Sequence, residues 1–261
     1  MQKRCNLAKH RAFTKDINTY IRITQQHSVM FIDDKHATKH PLASRQTKIC
    51  IDSTQESENI VSGTQTKASP SDIRISNITA AFEQLFPATQ MSRANIGKLI
   101  GLSRFTTSEV TGEMVDNRIL RELGPDNRKG RGKRSQVLAI DTDFWRIVSI
   151  DLSNPKLAKG ALADLSGRIV DRTELPADNG CSVDDVISLC KQLIASTPLP
   201  ILGIGIAVTG IVEPDSVVRK SVHLEWNELP LTAEVENATG VPTLVGNDTN
   251  AALVAERFFG D

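Results

Sequence analysis

The stretch from Met91 to Arg134 reads MSRANIGKLIGLSRFTTSEVTGEMVDNRILRELGPDNRKGRGKR. Its first part predicts two short helices joined by a tight turn. Ser92 and Ser103 can each cap a helix, because a serine oxygen accepts hydrogen bonds from the free N–H groups of the first turn. Gly101 ends the first helix, since glycine most easily adopts the left-handed conformation that a helix end requires. This spacing predicts a helix-turn-helix.

The two predicted helices have apolar and polar faces. The apolar positions expected in the core are Ile96, Leu99 and Ile100 of the first helix and Phe105, Val110 and Met114 of the second. Thr111 is expected with the polar side chains on the other faces of the second helix. In a helix-turn-helix the second helix enters the major groove of DNA, and its first residues reach the base edges. We therefore predict DNA contacts from polar and arginine side chains of this segment, namely Ser92, Arg93, Ser103, Arg104, Thr106, Thr107 and Ser108.

Two predicted strands, residues 119–123 and 135–140, flank the segment GPDNRKGRGKR, which is rich in basic residues and glycine. Such a hairpin beside a helix-turn-helix is a wing, in which Arg131, Lys133 and Arg134 would attract DNA phosphates. Two alternatives stay open: the segment is only a solvated loop, or the helices form a small bundle with no DNA role. The bundle alternative leaves the basic hairpin unexplained.

Charge is distributed unevenly along the 261 residues. Residues 1–71 carry 11 basic and 6 acidic side chains, residues 72–137 carry 11 and 7, and residues 138–261 carry 9 and 18. A basic front and an acidic back are typical of a DNA-binding head on a domain with another task. We expect a poorly structured extension over residues 1–71, a winged helix-turn-helix domain over 72–141, called the head, and a further domain over 142–261, called the lobe.

Cysteine spacing and hydropathy favour one compartment. Cys5, Cys50, Cys181 and Cys190 form no CxxC pair, which predicts reduced thiols. No apolar run approaches the length of about 18 residues that suggests a membrane span. The N-terminus also lacks the apolar core of a signal peptide. We expect a cytoplasmic protein without membrane contact.

The rest of the chain alternates helices and strands. A helix before Pro87 is predicted from the helical spacing of Ile75, Ile78, Phe82, Leu85 and Phe86. Three strands in an antiparallel meander, a helix after Ser182 and a buried strand follow, and the four strands span residues 145–152, 156–165, 168–175 and 201–208. This order is that of a ribonuclease-H-like (actin-like ATPase) lobe, so the expected fold class is α+β in the head and α/β in the lobe. In such sheets ligands gather at strand ends.

Five separated motifs together resemble the ROK family of repressors and sugar kinases. In chain order they are SRANIGKLIGLSRFTTSEVTGEMV, GRGKR, GIGIAVTGIVEP, EWNELPL and GNDTNAALVAERFFG. The head makes the chain similar to the transcriptional-regulator branch, which includes repressors of the xylose and N-acetylglucosamine type. The resemblance implies a repressor of carbohydrate-metabolism genes, with an operator in double-stranded DNA and a sugar or sugar phosphate effector as partners. It also implies that full-length relatives form homo-oligomers.

The resemblance assigns roles to an Asn-Asp pair. In the family's sugar kinases this pair, in the NDxNA motif, holds sugar hydroxyls, and the aspartate is the general base. These roles fall on Asn247 and Asp248, and Thr209 and Gly210 are predicted to join them as sugar-binding residues. From the residues alone, the pair could instead cap the helix that follows, because Asn and Asp are favoured caps.

Departures from the family pattern argue against catalysis. Family kinases hold ATP phosphates on a glycine turn of the DxGGT kind, but residues 151–155 read DLSNP, and proline removes a backbone donor. We therefore expect no enzyme activity, with Asp248 vestigial. An ATP-dependent sugar kinase and a non-functional remnant of a regulator remain the alternatives. In the head, Thr107 and Arg118 stand where the family usually has an apolar residue and a glycine, which suggests a weakened head.

The family's second lobe, with its ExGH segment and zinc site, has no counterpart before Asp261. We expect a chain truncated within the sugar-binding domain, with no metal and no other cofactor. A single lobe would touch a sugar from one side, so sugar is expected to alter DNA affinity little.

Overall fold

The computed structural model describes residues 69–125, 135–178, 180–214 and 216–259. The predicted extension and the wing tip with Arg131, Lys133 and Arg134 lie outside these residues. The helices are α1 (Pro70–Glu83), α2 (Arg93–Leu99), α3 (Arg104–Asp116), α4 (Val183–Ala195), α5 (Leu231–Thr239) and α6 (Asp248–Phe259). The strands are β1 (Met91–Ser92), β2 (Leu120–Pro125), β3 (Gln136–Ile140), β4 (Arg146–Asn154), β5 (Leu157–Ala163), β6 (Ile169–Pro176), β7 (Ile201–Val208), β8 (Ile211–Val212), β9 (Val218–Ser221), β10 (Trp226–Leu229) and β11 (Thr243–Asn247).

The head contains three helices and a three-stranded antiparallel sheet in the order β1-β3-β2. Ser92 and Ser103 cap α2 and α3 as predicted, each accepting a hydrogen bond from a backbone N–H of the first turn. Helix α1 begins earlier than expected, because Ser69 and Asp72 form a reciprocal capping box around Pro70. The predicted boundary at residue 72 therefore falls inside α1.

Three residues predicted on apolar faces are exposed. Phe105 is 78% exposed, Leu99 is 61% exposed and Ile75 is 38% exposed. The expectation for Phe105 was wrong because it lies five positions before Val110, a spacing that misses the buried stripe of a helix. The buried stripe of α3 has the helical spacing i, i+3, i+4, i+7 and consists of Thr107, Val110, Thr111 and Met114.

The lobe contains a five-stranded sheet in the order β11-β7-β4-β5-β6. Strands β4, β5 and β6 form the predicted antiparallel meander. Strand β7 lies parallel to both β4 and β11, so the carboxyl ends of these three strands meet at one edge of the sheet. A small antiparallel sheet, β10-β9-β8, follows β7 and was not predicted.

Helix α4 covers one face of the large sheet. Ser182 caps its start, as predicted, and forms a capping box with Asp185. Its buried stripe includes Leu189 and Leu193. A Cβ added to Gly160 of β5 would lie 3.2 Å from Cγ of Leu189 and 2.8 Å from Cδ1 of Leu193. A glycine in β5 therefore lets the helix approach the sheet closely.

Two of the four cysteines lie in this core as free thiols. Burial raises the pKa of the Cys190 thiol to about 12 and that of the Cys181 thiol to about 11. Both side chains are buried, so they act as small apolar groups. The prediction of free thiols is confirmed for these two, and Cys5 and Cys50 lie outside the described residues.

One cluster of buried apolar side chains extends from the head into the lobe. Phe82 and Leu138 of the head belong to the same cluster as Ile147 and Leu202 of the lobe. Trp145 lies between them, and its indole N–H donates to the backbone carbonyl of the residue that caps the end of α3, at 2.9 Å. The head is therefore packed directly onto the lobe.

Arg118, which departs from the family pattern, has a specific place at the end of α3. Its φ of 60° lies in the left-handed region, which a glycine adopts more easily. Its guanidinium pairs with the buried carboxylate of Asp141 at 2.7 Å and lies 5.0 Å from the ring centre of Phe144. These contacts offset part of the backbone strain, so Arg118 joins α3 to the segment between head and lobe.

In the parts of the chain that the structure describes, no helix is long and apolar enough to cross a membrane.

Candidate functional sites

The first candidate site is the outward face of α3 in the head. Arg104, Phe105, Ser108 and Glu109 are all exposed there. Ser103 starts this face, and its hydroxyl lies 2.9 Å from that of Thr106. The start of α3 therefore presents one cation, one aromatic ring and short hydroxyl side chains to solvent. Three of the predicted DNA contacts, Ser103, Arg104 and Ser108, lie on this surface.

Two other predicted contacts are buried, so the expectation that they are exposed was wrong. Thr107 is 3% exposed because it packs against Gly97 of α2, and its hydroxyl donates to the Ser103 carbonyl at 2.8 Å. Ser92 is 5% exposed because its hydroxyl caps α2. A threonine or serine can be buried when its hydroxyl forms a hydrogen bond with a backbone carbonyl or N–H of a nearby helix.

The remaining predicted contacts of the head differ in accessibility. Thr106 is half-buried in the first turn of α3. Arg93 pairs with Glu122 of β2 at 2.9 Å, with a quarter of its side chain exposed. A paired arginine must give up or share its carboxylate to reach a phosphate, so Arg93 is a weaker candidate than the exposed Arg104.

The second candidate site lies at the edge of the lobe where β4, β7 and β11 end. Thr209 follows β7, and its hydroxyl donates to a carboxylate oxygen of Asp248 at 2.7 Å. The Asn247 side-chain amide donates to the Gly210 carbonyl at 2.8 Å. The structure therefore brings together all four predicted sugar-binding residues from two segments that are 37 positions apart.

Asn247 and Asp248 also form the start of α6. The Asn247 side-chain oxygen accepts from the Asn250 backbone N–H at 3.0 Å, and Asp248 accepts from the Thr249 backbone N–H at 2.8 Å. The capping alternative is thus confirmed by these bonds. Capping leaves the outer lone pairs of these oxygens available, so it does not exclude a ligand.

Gly210 sets the shape of this edge, and the sequence alone gave no sign of its contacts. Its φ is 140°, and a Cβ there would overlap the backbone carbonyl oxygen of Lys220 and lie 3.0 Å from the Cα of Ser221. The Ser221 hydroxyl donates to the Thr209 carbonyl at 2.6 Å. Strand β9 therefore packs against the Thr209-Gly210 turn and fixes its position.

The last residues of β4 and the turn that follows them lie at the same edge of the sheet. The Ser153 backbone N–H donates to the Asp151 side chain at 2.8 Å, and the Lys156 backbone N–H donates to the Asn154 side chain at 3.0 Å. Pro155 between them has no N–H. Side chains of the turn thus occupy two backbone donors that a phosphate-binding turn would direct at its ligand.

Among the residues that the structure describes, no group of three or more His, Cys, Asp or Glu side chains is placed to hold a metal ion.

The lobe defined by this sheet has a mixed α/β fold of the actin-like ATPase type. Residues 147–261 match the model of the ROK family.

Known proteins similar to the chain include repressors. It is 31% identical over 178 residues to a putative xylose repressor of Caldicellulosiruptor sp. (strain Rt8B.4), covering 65% of this chain and 44% of the relative. It is 26% identical over 196 residues to the DNA-binding transcriptional repressor Mlc of Escherichia coli (strain K12), covering 72% and 48%. The chain spans about half the length of these relatives.

A solved structure also matches. It is a ROK family transcriptional regulator described as a homolog of the E. coli Mlc protein, with a TM-score of 0.57 and 25% sequence identity. The match covers 71% of this chain and 49% of the other.

Proposed function

We propose that the chain is a DNA-binding transcriptional repressor of carbohydrate-metabolism genes, with a partial sugar-sensing site in its lobe. The observation that carries the proposal is the outward face of α3. Arg104 and Ser108 are exposed on it, and the β2–β3 hairpin beside it flanks a basic segment in the sequence. A capped helix start with an exposed arginine is suited to the phosphates and base edges of duplex DNA, and the basic segment adds positive charge to the same region of the sequence.

The relatives support the same function. The alignment with the E. coli repressor covers 72% of the chain, more than residues 147–261 can supply, so it includes part of the region before the family match. The similarity to a transcriptional repressor therefore extends beyond the domain that sugar kinases share. This favours a regulator with a DNA-binding head.

Helix α6 connects the second candidate site, at the lobe edge, to the core of the head. It starts with Asp248 at the lobe edge and ends with Phe258 and Phe259, whose rings lie 5.4 and 5.5 Å from the ring of Phe86 in the head. A ligand at the start of α6 can thus influence the head only if it favours one position of this helix over another. The connection supports a regulatory role for the lobe.

An ATP-dependent sugar kinase is the alternative function, and the turn after β4 disfavours it. Pro155 has no backbone donor, and the N–H groups of Ser153 and Lys156 donate to side chains of the turn itself. A phosphoryl-transfer enzyme needs such donors to hold the phosphates. We therefore propose that the chain is not an enzyme and that Asp248 has no catalytic role.

Binding of the full 261-residue chain to a labelled duplex of about 30 base pairs should weaken steeply as salt rises, because cationic side chains release counterions from phosphates. Replacing Arg131, Lys133 and Arg134 together with alanine should reduce the slope of log affinity against log salt by about 2 to 3, near 0.9 per lost phosphate contact. Fluorescence anisotropy between 50 and 300 mM NaCl, roughly the range over which such effects are large, measures both slopes.

A matched control removes three lysines of the lobe, Lys156, Lys159 and Lys191, and should leave the slope unchanged. Equal slopes for the hairpin variant and the unmodified chain would show that the basic segment does not contact DNA. Absence of any salt-dependent binding would refute the proposed function.

Xylose, glucose or N-acetylglucosamine should bind the lobe edge weakly, with a Kd in the millimolar range, that is about −4 kcal/mol. Asn247 and Asp248 offer a sugar few further hydrogen bonds, because Thr209, Gly210 and the Asn250 backbone N–H already contact their side chains. Saturation-transfer NMR should give a signal for one of these sugars that disappears in Asn247→Ala. The control Asn237→Ala changes an exposed asparagine on α5 and should keep the signal. A signal that survives Asn247→Ala would place sugar binding elsewhere.

A further inference from the structure

Phe105 has an unusual place for an aromatic side chain. At 78% it is the most exposed of the large apolar residues in the described part of the chain. It is the second residue of α3, directly after Ser103 and Arg104. Single exposed apolar residues are common, so the exposure alone carries no argument. The surface around the ring does.

The face of α3 that carries Phe105 is otherwise small or polar. Ser108, Glu109 and Gly112 follow at the helical spacing i+3, i+4 and i+7, and Ser108 and Glu109 are exposed. A Cβ on Gly112 would meet no atom within 4 Å, so space on this face is open. A helix face with small side chains can enter the major groove of DNA deeply, and a ring that projects from the start of this face would then lie nearest the bases.

Charge favours DNA as the occupant of this face. The start of α3 carries the positive end of the helix dipole, and Arg104 adds a full positive charge beside Phe105. Arg104 forms no ion pair or hydrogen bond with any residue that the structure describes, so its charge is available. Glu109 carries a negative charge one turn further along this face, so the positive charge is confined to the start of α3 around Phe105. An anionic duplex is therefore a better match for the start of the helix than an apolar protein partner.

Resting on the proposed function, we propose that Phe105 contacts the 5-methyl group of a thymine in the major groove and so determines sequence preference at that base. A phenyl ring has no hydrogen-bond donor or acceptor, so it cannot read the polar edges of the bases. The thymine C5-methyl is the apolar group that the major groove presents. Phe105 would thus select thymine, while Arg104 contacts the phosphates.

The test begins with selection from a library of random-sequence duplexes, with the full 261-residue chain, Phe105→Ala and the control Leu99→Ala. Leu99 is also exposed, at 61%, but lies on α2. The unmodified chain and Leu99→Ala should enrich duplexes with thymine at one fixed position. Phe105→Ala should accept any base at that position. Circular dichroism should show equal melting for all three, because neither side chain is in the core.

Replacing the selected thymine by deoxyuridine then removes only the methyl group. This change should weaken binding of the unmodified chain and of Leu99→Ala about five- to tenfold, and that of Phe105→Ala less than about twofold. Phe105→Leu, which keeps an apolar side chain, should retain part of the discrimination.

Two results would overturn the inference while the proposed function stands. One is a selected sequence whose affinity ignores the thymine methyl groups, and the other is a Phe105→Ala variant that keeps the same thymine preference. A weaker Phe105→Ala with unchanged sequence preference would mean that the ring adds affinity without reading a base. If no duplex is enriched and no salt-dependent binding occurs, the proposed function itself fails and the inference fails with it.

Discussion

Gly210→Ala should lower the free energy of unfolding of the protein by roughly 2 to 6 kcal/mol. A residue with a side chain at this φ of 140° costs about 1 to 3 kcal/mol in backbone strain. The added Cβ would also overlap the Lys220 carbonyl oxygen, which is backbone and cannot swing away. Moving β9 to make room costs about 1 to 3 kcal/mol more. Thermal denaturation followed by circular dichroism should show a drop in Tm of roughly 5 to 20 °C.

Gly246→Ala is the matched control, since Gly246 lies in β11 at the same edge of the lobe. A Cβ there would meet no atom within 4 Å. Alanine at such a position changes stability by about 0.4 to 1 kcal/mol, in the stabilising direction if the backbone accepts it. If Gly210→Ala had the same Tm as the unmodified protein, that result would show that the Thr209-Gly210 turn is not packed tightly against β9. The Asn247 amide would then lose its fixed acceptor.

Gly97→Ala should destabilise the head by about 1 to 3 kcal/mol, the usual cost of overpacking a close contact. The new Cβ would overlap the Thr107 hydroxyl oxygen and lie 3.1 Å from the Thr107 methyl carbon. That side chain is not free to rotate, because its hydroxyl donates to the Ser103 carbonyl at 2.8 Å. Helix α3 must therefore tilt away from α2, and DNA affinity should fall together with Tm.

Two variants separate this contact from a general effect of alanine. Gly112→Ala lies within α3 where a Cβ meets nothing, and it should stabilise the helix by about 0.5 to 1 kcal/mol. Combining Gly97→Ala with Thr107→Ala removes the colliding hydroxyl and methyl groups and should recover part of the lost stability. Strict additivity of the two single changes would show that the contact between them is not the cause.

Local sequence signals predicted the elements well. Ser92, Ser103 and Ser182 cap helices as expected, because a cap depends only on a serine and the N–H groups a few residues later. The order of strands along the lobe sequence followed from apolar runs separated by turn residues. The small sheet of β8, β9 and β10 was not predicted. The sugar-binding residues were predicted from the resemblance to the ROK family, and the structure groups them at one edge because the parallel strands β7 and β11 end there.

The errors in the head concern which side of a helix faces inward. Phe105 was expected inside and Thr107 outside, and the structure has the opposite arrangement. Side-chain polarity suggested the wrong face, because helical carbonyls satisfy the hydroxyls of Thr107 and Thr111 within the core. The helical spacing of Thr107, Val110, Thr111 and Met114 predicts the buried face of α3 correctly if threonine is accepted as a buried residue.

By itself, the sequence determined the order of elements, their caps and the basic segment of the head. Each of these depends on neighbours in the chain. The residues expected at the lobe edge came from the resemblance to the ROK family. The tertiary structure alone decided the pairing of Arg118 with Asp141, the approach of Gly210 to β9 and the contact of Phe86 with α6. These contacts join residues from 10 to more than 170 positions apart, and their geometry depends on how whole helices and strands pack.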